Sequence, residues 1–513
     1  MCWSWVGDWS GRRASLTPRR EALIFEGKSF TYGELDSRAK RLAGYLAKKG
    51  VGKGDRVSFL MRNCVECFDA FFATGKLGAI LAPLNIRLSP KEVIHLVKQV
   101  KPKVFIYDPE FDEVVEKVRK EATWAEFLST GEGGEYEAAL EEGGGGPGRV
   151  KVSMEDPHLI LFTGGTTGLP KGAILSHRMI FWNSVNTIVT WGITPEDVSP
   201  IIFPLFHTGG WNTLAVPLIH VGGKMITWRR FSPDDVLEAV EKYKCTIVIG
   251  APTMFYMMAK SPKFEKTDLS SVRMWISGGA PCPLPVMEAF WRRGAAFIQG
   301  YGLTEAGPNN FYMPVEYMKE KHRSVGVPFF HNEVKIVNER GEEVGVGEAG
   351  ELLIRGPHTF SGYWEMPEET AKTIDEDGWV HTGDIAIRDE EGFYYIVDRK
   401  KDMYISGGEN VYPVEVENVI YQHPKVEEVA VIGVPDEKWG EVGKAVIVPK
   451  PGETVTKEEI VEFCRGKLAK YKVPKYVAIV DSLPKSPAGK ILKKDLRRDY
   501  GEPRDDYPST APT

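Results

Sequence analysis

An apolar run that passes directly into a glycine- and threonine-rich segment is the feature that most restricts the fold of this chain. Leu159-Ile160-Leu161-Phe162 has the length and composition of a buried strand. It continues into Thr163-Gly164-Gly165-Thr166-Thr167-Gly168-Leu169-Pro170-Lys171-Gly172. Glycines let backbone N–H groups approach phosphate oxygens, while threonine hydroxyls and a lysine add donors and positive charge. The segment predicts a phosphate-binding loop at the end of a strand, in preference to a plain surface turn.

This loop differs from the P-loop of nucleotide hydrolases, in which Gly-Lys-Ser/Thr opens a helix. Here Pro170 precedes Lys171 and Gly172 follows it. A P-loop hydrolase, which would cut ATP at the γ-phosphate and release ADP, is therefore a disfavoured alternative.

Size and composition are those of a multidomain globular protein. The chain has 513 residues, 42% of them hydrophobic and 27% charged, with a formal net charge of −6. This balance argues against a nucleic-acid-binding protein. No uniform apolar run is long enough to span a bilayer, since the stretch 201–221 contains two histidines, an asparagine and two prolines. That stretch is better interpreted as a buried strand and pocket wall.

The termini and cysteines point to the cytosol. The first residues lack the basic and apolar regions of a signal peptide. Six cysteines in a chain of this length imply no disulfide framework. Cys64-Val65-Glu66-Cys67 is a lone C-x-x-C pair without the second pair that a zinc site needs, so it is predicted to pack in a helix.

The order of predicted elements indicates an α/β fold. Helical and short apolar segments alternate up to about residue 300, and Thr31 with Glu34 predicts a capping box at the start of one helix. Short strands and turns over 334–354 predict a small β-rich subdomain. After residue 401 the pattern becomes that of one small α+β domain. The Gly/Glu-rich stretch 132–149 is predicted to be a flexible loop, and 501–513 a disordered tail.

A second candidate nucleotide segment follows an apolar strand. Gln299-Gly300-Tyr301-Gly302-Leu303-Thr304-Glu305 places an aromatic ring, a hydroxyl and a carboxylate next to glycines. The ring can stack on a base, the hydroxyl of Thr304 can bond a phosphate, and the carboxylate of Glu305 is a hard ligand suited to Mg²⁺.

Together these two segments resemble the signature motifs of the adenylate-forming enzymes, which include acyl-CoA synthetases, aryl-CoA ligases, luciferases and peptide-synthetase adenylation domains. The resemblance covers nearly the whole chain. At Gly164 the family usually has serine, so one hydroxyl of the loop is missing here. The resemblance implies a large N-terminal domain over 1–400, built of α/β subdomains and a β-rich subdomain. It also implies a small mobile α+β domain over 401–500.

The resemblance also assigns the nucleotide contacts. ATP would meet the phosphate loop, the adenine pocket and two ribose-binding side chains, Asp384 and Arg399. Mg²⁺ would be bound by Thr163 and Glu305. The full set implied for nucleotide and coenzyme A comprises Thr163, Gly164, Gly165, Thr166, Thr167, Gly168, Lys171, Gly279, Ala280, Tyr301, Thr304, Asp384, Arg399, Lys401, Ser406, Gly407 and Gly408.

Catalytic roles follow in the same way. Lys490, within Pro487-Ala488-Gly489-Lys490, matches the family lysine that bridges the carboxylate substrate and the α-phosphate. Thr304 and Glu305 act beside the phosphates, and His207 stands near the reacting carboxylate, although a core histidine is an equally good interpretation of that residue. Lys401 matches the hinge about which the small domain turns, bringing Ser406 to Gly408 to coenzyme A.

The resulting prediction is an AMP-forming acyl-CoA synthetase that uses ATP, Mg²⁺ and coenzyme A. Its acid is expected to be a medium- or long-chain fatty acid, with a cinnamate-like or benzoate-like acid as the alternative. Because no basic residue stands out in the implied pocket, a diacid is disfavoured. A non-catalytic nucleotide-binding module is more remote, since it would need neither Glu305 nor Lys490. The sequence leaves a homodimer open. The pocket residues implied are His207, Trp211, Asn212, Met254, Gly278, Gly302, Leu303 and Gly307.

Overall fold

The structure is a computed structural model, which describes residues 5–131, 133–146, 148, 150–163, 170–400, 402–407, 409–465, 467–485 and 491–507. Its strands are β1 (Glu21–Phe25), β2 (Lys28–Thr31), β3 (Arg56–Leu60), β4 (Ile80–Pro83), β5 (Val104–Tyr107), β6 (Glu126–Ser129), β7 (Pro157–Thr163), β8 (Lys171–Ser176), β9 (Val198–Pro200), β10 (Lys224–Thr227), β11 (Ile247–Gly250), β12 (Met274–Ser277), β13 (Phe297–Gln299), β14 (Phe311–Tyr312), β15 (Val327–Pro328), β16 (Glu333–Val337), β17 (Gly350–Arg355), β18 (Val380–Arg388), β19 (Tyr394–Arg399), β20 (Tyr404–Ser406), β21 (Glu409–Val411), β22 (Val426–Asp436), β23 (Gly440–Pro449) and β24 (Tyr476–Ile479).

The helices are α1 (Trp9–Leu16), α2 (Tyr32–Lys48), α3 (Val65–Leu77), α4 (Pro90–Val100), α5 (Asp112–Glu121), α6 (Tyr136–Gly143), α7 (His177–Trp191), α8 (Thr208–Gly210), α9 (Val216–Val221), α10 (Pro233–Tyr243), α11 (Pro252–Lys260), α12 (Leu284–Arg292), α13 (Pro367–Thr373), α14 (Pro413–Ile420), α15 (Lys457–Cys464) and α16 (Lys493–Tyr500).

Two large sheets build the first part of the chain. One has the order β6-β5-β3-β4-β7-β8, parallel except for the antiparallel pair β7–β8. The other has the order β2-β1-β10-β9, and a short parallel sheet β11-β12-β13 follows. Helices connect the parallel strands, as parallel pairing requires. The predicted α/β fold is confirmed, and so is the capping box of α2, in which Thr31 and Glu34 bond each other's backbone N–H groups.

The predicted β-rich subdomain is an antiparallel sheet of order β16-β17-β18-β19. The predicted small domain has a second antiparallel sheet, β21-β20-β23-β22, with β24 parallel to β23. Its helices α14 and α15 cover one face through buried Val416, Ile420 and Ile460. The sheet of the large domain thus ends at Arg399, and the sheet of the small domain begins at Tyr404.

Three local expectations are wrong. The stretch 132–149 contains helix α6, whose Ala139 and Leu140 are buried in the main core. Its last residue, Gly143, lies against α2, where a Cβ would stand 1.8 Å from the Arg41 carbonyl oxygen. Glycine, taken as a sign of flexibility, here permits close packing.

The stretch 201–221 is the second correction, because it is helical from Thr208 onward and not a strand. Every residue from 208 to 219 is buried. A segment buried on all sides shows no helical periodicity in its sequence, so a strand and a helix look alike there.

The third correction concerns the tail. Residues 501–507 pack on the small domain, with Asp506 paired to Ala478 and bonded to the fully buried Lys444 at 2.6 Å. The rest of the predicted tail, 508–513, lies outside the described residues. In the part of the chain that is described, no helix is both long and apolar enough to cross a membrane.

Candidate active site

The phosphate loop connects the two strands of a hairpin. Antiparallel register places Thr163, the last residue of β7, opposite Lys171, the first of β8. The hairpin therefore brings a hydroxyl and an ammonium to the two ends of the loop. Gly164, Gly165, Thr166, Thr167 and Gly168 lie between them, outside the described residues.

Two hydroxyl groups hold the carboxylate of Glu305. Glu305 Oε1 accepts hydrogen bonds from Thr163 Oγ1 at 3.1 Å and from the Tyr363 hydroxyl at 2.9 Å. The turn that carries Glu305, Thr304–Ala306, follows β13 and begins with buried Thr304. The two predicted nucleotide segments thus meet at a cluster of hard oxygen atoms.

Lys171 lies between an aromatic ring and an acid that the sequence analysis did not single out. Its Nζ is paired with Glu369 in the first turn of α13 and stands 5.2 Å from the centre of the Tyr363 ring. Hydrogen bonds from Lys171 and Lys372 lower the pKa of Glu369 to about 2. In this arrangement Glu369 neutralises the lysine of the phosphate loop.

Asp384 is bonded by partners from two other segments. The Tyr301 hydroxyl donates to Asp384 Oδ2 at 2.6 Å, and Arg399 Nε stands 3.2 Å from Asp384 Oδ1. Register between β18 and β19 sets Asp384 opposite Arg399, while Tyr301 follows β13. Burial and the nearby carboxylate raise the pKa of Tyr301, so this tyrosine stays neutral. Burial opposes the charge of Arg399, but Asp384 raises the pKa of the guanidinium.

Two glycine-containing segments leave β12 and β13 at one edge of the short parallel sheet. Parallel register aligns Ser277 with Gln299, so the chain leaves β12 and β13 at the same edge. Gly279 is exposed with φ +85, and Gly278, Ala280, Gly302 and Leu303 are half-buried. Gly302 admits no side chain, because a Cβ would stand 2.1 Å from the Pro308 carbonyl oxygen. These residues present backbone at an accessible edge, as an adenine or acyl pocket requires.

The prediction that Trp211 lines the pocket is corrected by its burial. Trp211 has no exposed surface, stacks on Phe71 at 4.6 Å, and donates its indole N–H to the Leu205 carbonyl oxygen at 2.5 Å. It is a core side chain. His207 is half-buried, and its Nδ1 accepts the N–H of Gly209 at 3.1 Å, which fixes the start of α8.

The small-domain residues pack on β23 and its turn. Ser406 pairs with Gly440, and the exposed Gly407 donates its N–H to the Trp439 carbonyl oxygen at 2.8 Å. A Cβ at Gly407 would meet the Trp439 ring at 2.7 Å. Lys401, Gly408 and Lys490 lie outside the described residues.

Tyr363 and Glu369 are the site neighbours that sequence reasoning missed. Each is nearly 200 positions from Lys171, and the Glu369 pairing spans 198 positions in the chain. Segment 361–364 reaches the site because Trp364 N–H bonds the Gly172 carbonyl at 2.7 Å and Ala173 pairs with Tyr363. No local motif encodes such a contact.

The geometry can be compared with known proteins. The family model described as AMP-binding enzyme matches residues 11–364, and that of the AMP-binding enzyme C-terminal domain matches 415–490. A feruloyl-CoA synthase from an Amycolatopsis species is 42% identical over 496 residues, covering 97% of this chain and 99% of that protein. An indoleacetate–CoA ligase of Aromatoleum aromaticum is 36% identical over 498 residues, covering 96% of this chain and 98% of that protein.

Solved structures give the same result. ATP-bound MatB from Rhodopseudomonas palustris superposes with a TM-score of 0.90 at 31% identity, covering 97% of this chain and 99% of that one. The apo form of the same protein superposes with a TM-score of 0.80 at 32% identity, covering 97% of this chain and 99% of that one. The whole chain thus superposes more closely on the ATP-bound form than on the apo form.

These matches define an adenylate-forming enzyme with a large N-terminal and a small C-terminal domain. The chain belongs to the AMP-binding enzyme family and is an AMP-forming acid–CoA ligase.

Proposed function

We propose that this ligase activates an acid that carries an aromatic ring, the alternative that the sequence analysis ranked second. The observation that carries the proposal is the 42% identity, over nearly the full length of both chains, to a feruloyl-CoA synthase. The indoleacetate–CoA ligase adds a second relative named for an aromatic acid. Fatty acids, the first expectation from sequence, become the competing substrate class in the test.

The proposed chemistry has two half-reactions. A carboxylate oxygen attacks the α-phosphorus of ATP, and the bond to pyrophosphate breaks, which leaves an acyl-adenylate. The coenzyme A sulfur then attacks the acyl carbonyl, the bond to AMP breaks, and the thiol proton passes to solvent. Lys490 would stabilise the charge that develops between carboxylate and α-phosphate in the first step.

The donor set of the first cluster fits magnesium. Thr163 Oγ1 and Glu305 Oε1 are neighbouring oxygen atoms 3.1 Å apart, and Mg²⁺ prefers a few protein oxygens completed by phosphate and water. Among the residues that the structure describes, no group of three or more His, Cys, Asp or Glu side chains forms a separate metal site. Mg²⁺ bound here would neutralise phosphate charge. Tyr363 would orient Glu305 through its 2.9 Å hydrogen bond.

The phosphate end of ATP would lie along the hairpin. The Lys171 ammonium would release the Glu369 carboxylate and bind a phosphate oxygen in its place, since both partners are anionic oxygens. The backbone of the loop residues 164–168 would supply N–H donors, with Thr304 as a further hydroxyl.

The ribose would lie at the second cluster. The Asp384 carboxylate accepts from Tyr301 and faces Arg399, so its orientation is fixed before a ligand arrives. Its remaining lone pairs could accept hydrogen bonds from the two ribose hydroxyls. Gly279 and Ala280 would border the adenine, and Tyr301 would flank it.

The acid would lie near His207, Gly278, Gly302 and Leu303. These residues are all half-buried, whereas Trp211 has no exposed surface and is left out of the proposed pocket. In the second half-reaction Lys401 would act as the hinge, and Ser406, Gly407 and Gly408 would meet coenzyme A.

The test is a panel of acids assayed for acid-dependent AMP release with coenzyme A. It pairs ferulate, cinnamate and indoleacetate with octanoate, decanoate and palmitate. The proposal expects the highest kcat/KM for an aromatic acid, at least about tenfold above the best fatty acid. A fatty acid at the head of the panel would overturn the aryl assignment. Release of ADP instead of AMP would contradict the two half-reactions.

A further inference from the structure

One side-chain contact joins the large domain to the small domain outside their connecting segment. The Tyr256 hydroxyl on α11 donates a hydrogen bond to Glu427 Oε1 at the start of β22. The two residues are 171 positions apart.

Both partners are held in place by their own domains. On α11, Phe255 and Met258 have no exposed surface, so Tyr256 is turned outward with 36% of its surface exposed. On β22, Val426 and Val429 are buried, and the ladder to β23 shifts register between Val426 and Glu428. A bulge re-aims a side chain. Here it turns Glu427 out of the ladder and toward α11.

The next residue of the same strand binds a second segment. Glu428 is paired with Lys485, which itself pairs across to Ile491. The residues between Lys485 and Ile491 are not among those described. In sequence they include Lys490, so the strand that contacts Tyr256 also binds the segment leading to the proposed catalytic lysine.

We propose that Tyr256 is a positioning residue for adenylate formation, which acts by holding the small domain through Glu427. The inference rests on the proposed function, in which the small domain turns between two half-reactions. The whole chain superposes better on ATP-bound MatB than on the apo form, at TM-scores of 0.90 and 0.80. A contact between the two domains outside their connecting segment breaks when one domain turns relative to the other, so it stabilises one arrangement over the other.

The first test uses Tyr256→Phe, which removes only the hydroxyl. A hydrogen bond of this kind changes a two-state equilibrium by about 2- to 10-fold. The ratio of the adenylation rate to the thioester-forming rate from supplied acyl-adenylate should fall by the same factor. Tyr395→Phe is the matched control, because its hydroxyl also bonds a carboxylate at 2.9 Å, that of Asp389 in the turn between β18 and β19 of the same domain. Its two rates should keep the wild-type ratio.

The second test does not depend on chemistry. Spin labels on exposed Lys266→Cys and Glu453→Cys, with Cys2 replaced by serine, report the distance between the domains; the five described native cysteines are all buried. Tyr256→Phe should raise the share of a second distance population by about 2- to 10-fold. An unchanged distance distribution, or an equal fall of both half-reactions, would overturn the inference. If the wild type makes no acyl-adenylate from any acid, the proposed function fails while the distance measurement still decides this contact.

Discussion

At the scale of single residues, Asp384 depends on groups brought from elsewhere. It is buried, yet two partners from distant segments face its carboxylate, Tyr301 at 2.6 Å and Arg399 at 3.2 Å. Removing the carboxylate therefore leaves a guanidinium and a hydroxyl without their partner as well as removing the proposed ribose acceptor.

Asp384→Ala is expected to weaken ATP binding by about 10- to 150-fold, because hydrogen bonds to a charged group contribute roughly 1.5–3 kcal/mol. The acid should be affected much less. Separate titrations of ATP and acid measure this, with a thermal melt to detect loss of the fold. Tyr301→Phe removes one hydrogen bond and keeps the carboxylate, so it should weaken ATP binding less than Asp384→Ala does. A weakened acid affinity with normal ATP affinity would place Asp384 in the acyl pocket.

The residues that sequence motifs single out are ones that the structure brings into contact. Thr163 contacts Glu305, and Asp384 contacts Arg399. Tyr363 and Glu369 were missed because each has an ordinary local sequence and acquires its neighbours only when the segment 361–364 pairs with β8. Trp211 was predicted to line the acyl pocket, but its side chain lies in the core. A motif gives the position of a residue along the chain and does not show whether its side chain faces the core or a pocket.

At the scale of elements, glycine decides how closely helices approach. The backbones of α2 and α6 touch at Gly44 and Gly143, where a Cβ on Gly44 would lie 2.0 Å from the Gly143 carbonyl oxygen. The sequence showed the glycines but not their partner, so it indicated a loop. Burial of α6 came from a contact across about a hundred positions, which local composition does not record.

Gly143→Ala should therefore destabilise the large domain by about 1–3 kcal/mol, since overpacking forces the two helices apart. Gly145→Ala is the matched control, because a Cβ there meets nothing within 4 Å. The two variants are compared by thermal melting. Equal melting temperatures would show that α6 does not pack as described.

A buried pair of imidazoles joins β7 to α7. His158 and His177 stack at 4.6 Å, and in the described part of the chain none of their four ring nitrogens has a hydrogen-bond partner. Burial lowers the pKa of His177 to about 3, and that of His158 well below its ordinary value of 6.5. Both side chains must therefore be neutral in the folded protein.

This predicts acid sensitivity with a definite sign. A histidine whose pKa is lowered by folding does not reduce stability at a pH above 6.5, its pKa in the unfolded chain. As the pH falls from 6.5 toward 3, only the unfolded chain binds the proton, so stability is lost. In that range each imidazole lowers the free energy of unfolding by about 1.4 kcal/mol for every unit by which the pH falls. His177→Phe should flatten the decline of melting temperature between pH 7 and 5, whereas His95→Phe, on the exposed side of α4, should not. Identical declines would mean that the pair does not control acid stability.

At the scale of the whole molecule, the division into two domains was readable because the element pattern changes near residue 400. One sheet ends at Arg399 and the next begins at Tyr404, and the two family models fall on either side. The way the domains meet was not readable, since contacts such as Tyr256 with Glu427 depend on an orientation that no local pattern encodes.

One site is proposed to serve two half-reactions, with Lys490 acting only in the first. The most direct measurement compares Lys490→Ala with wild type in acid-dependent exchange of pyrophosphate into ATP, and separately in thioester formation from a supplied acyl-adenylate. Lys494→Ala, an exposed neighbour, serves as the control. Lys490→Ala is expected to reduce the exchange rate by more than about a hundredfold, an electrostatic contribution typical of a transition-state donor, and to keep thioester formation. An equal loss in both steps would contradict it.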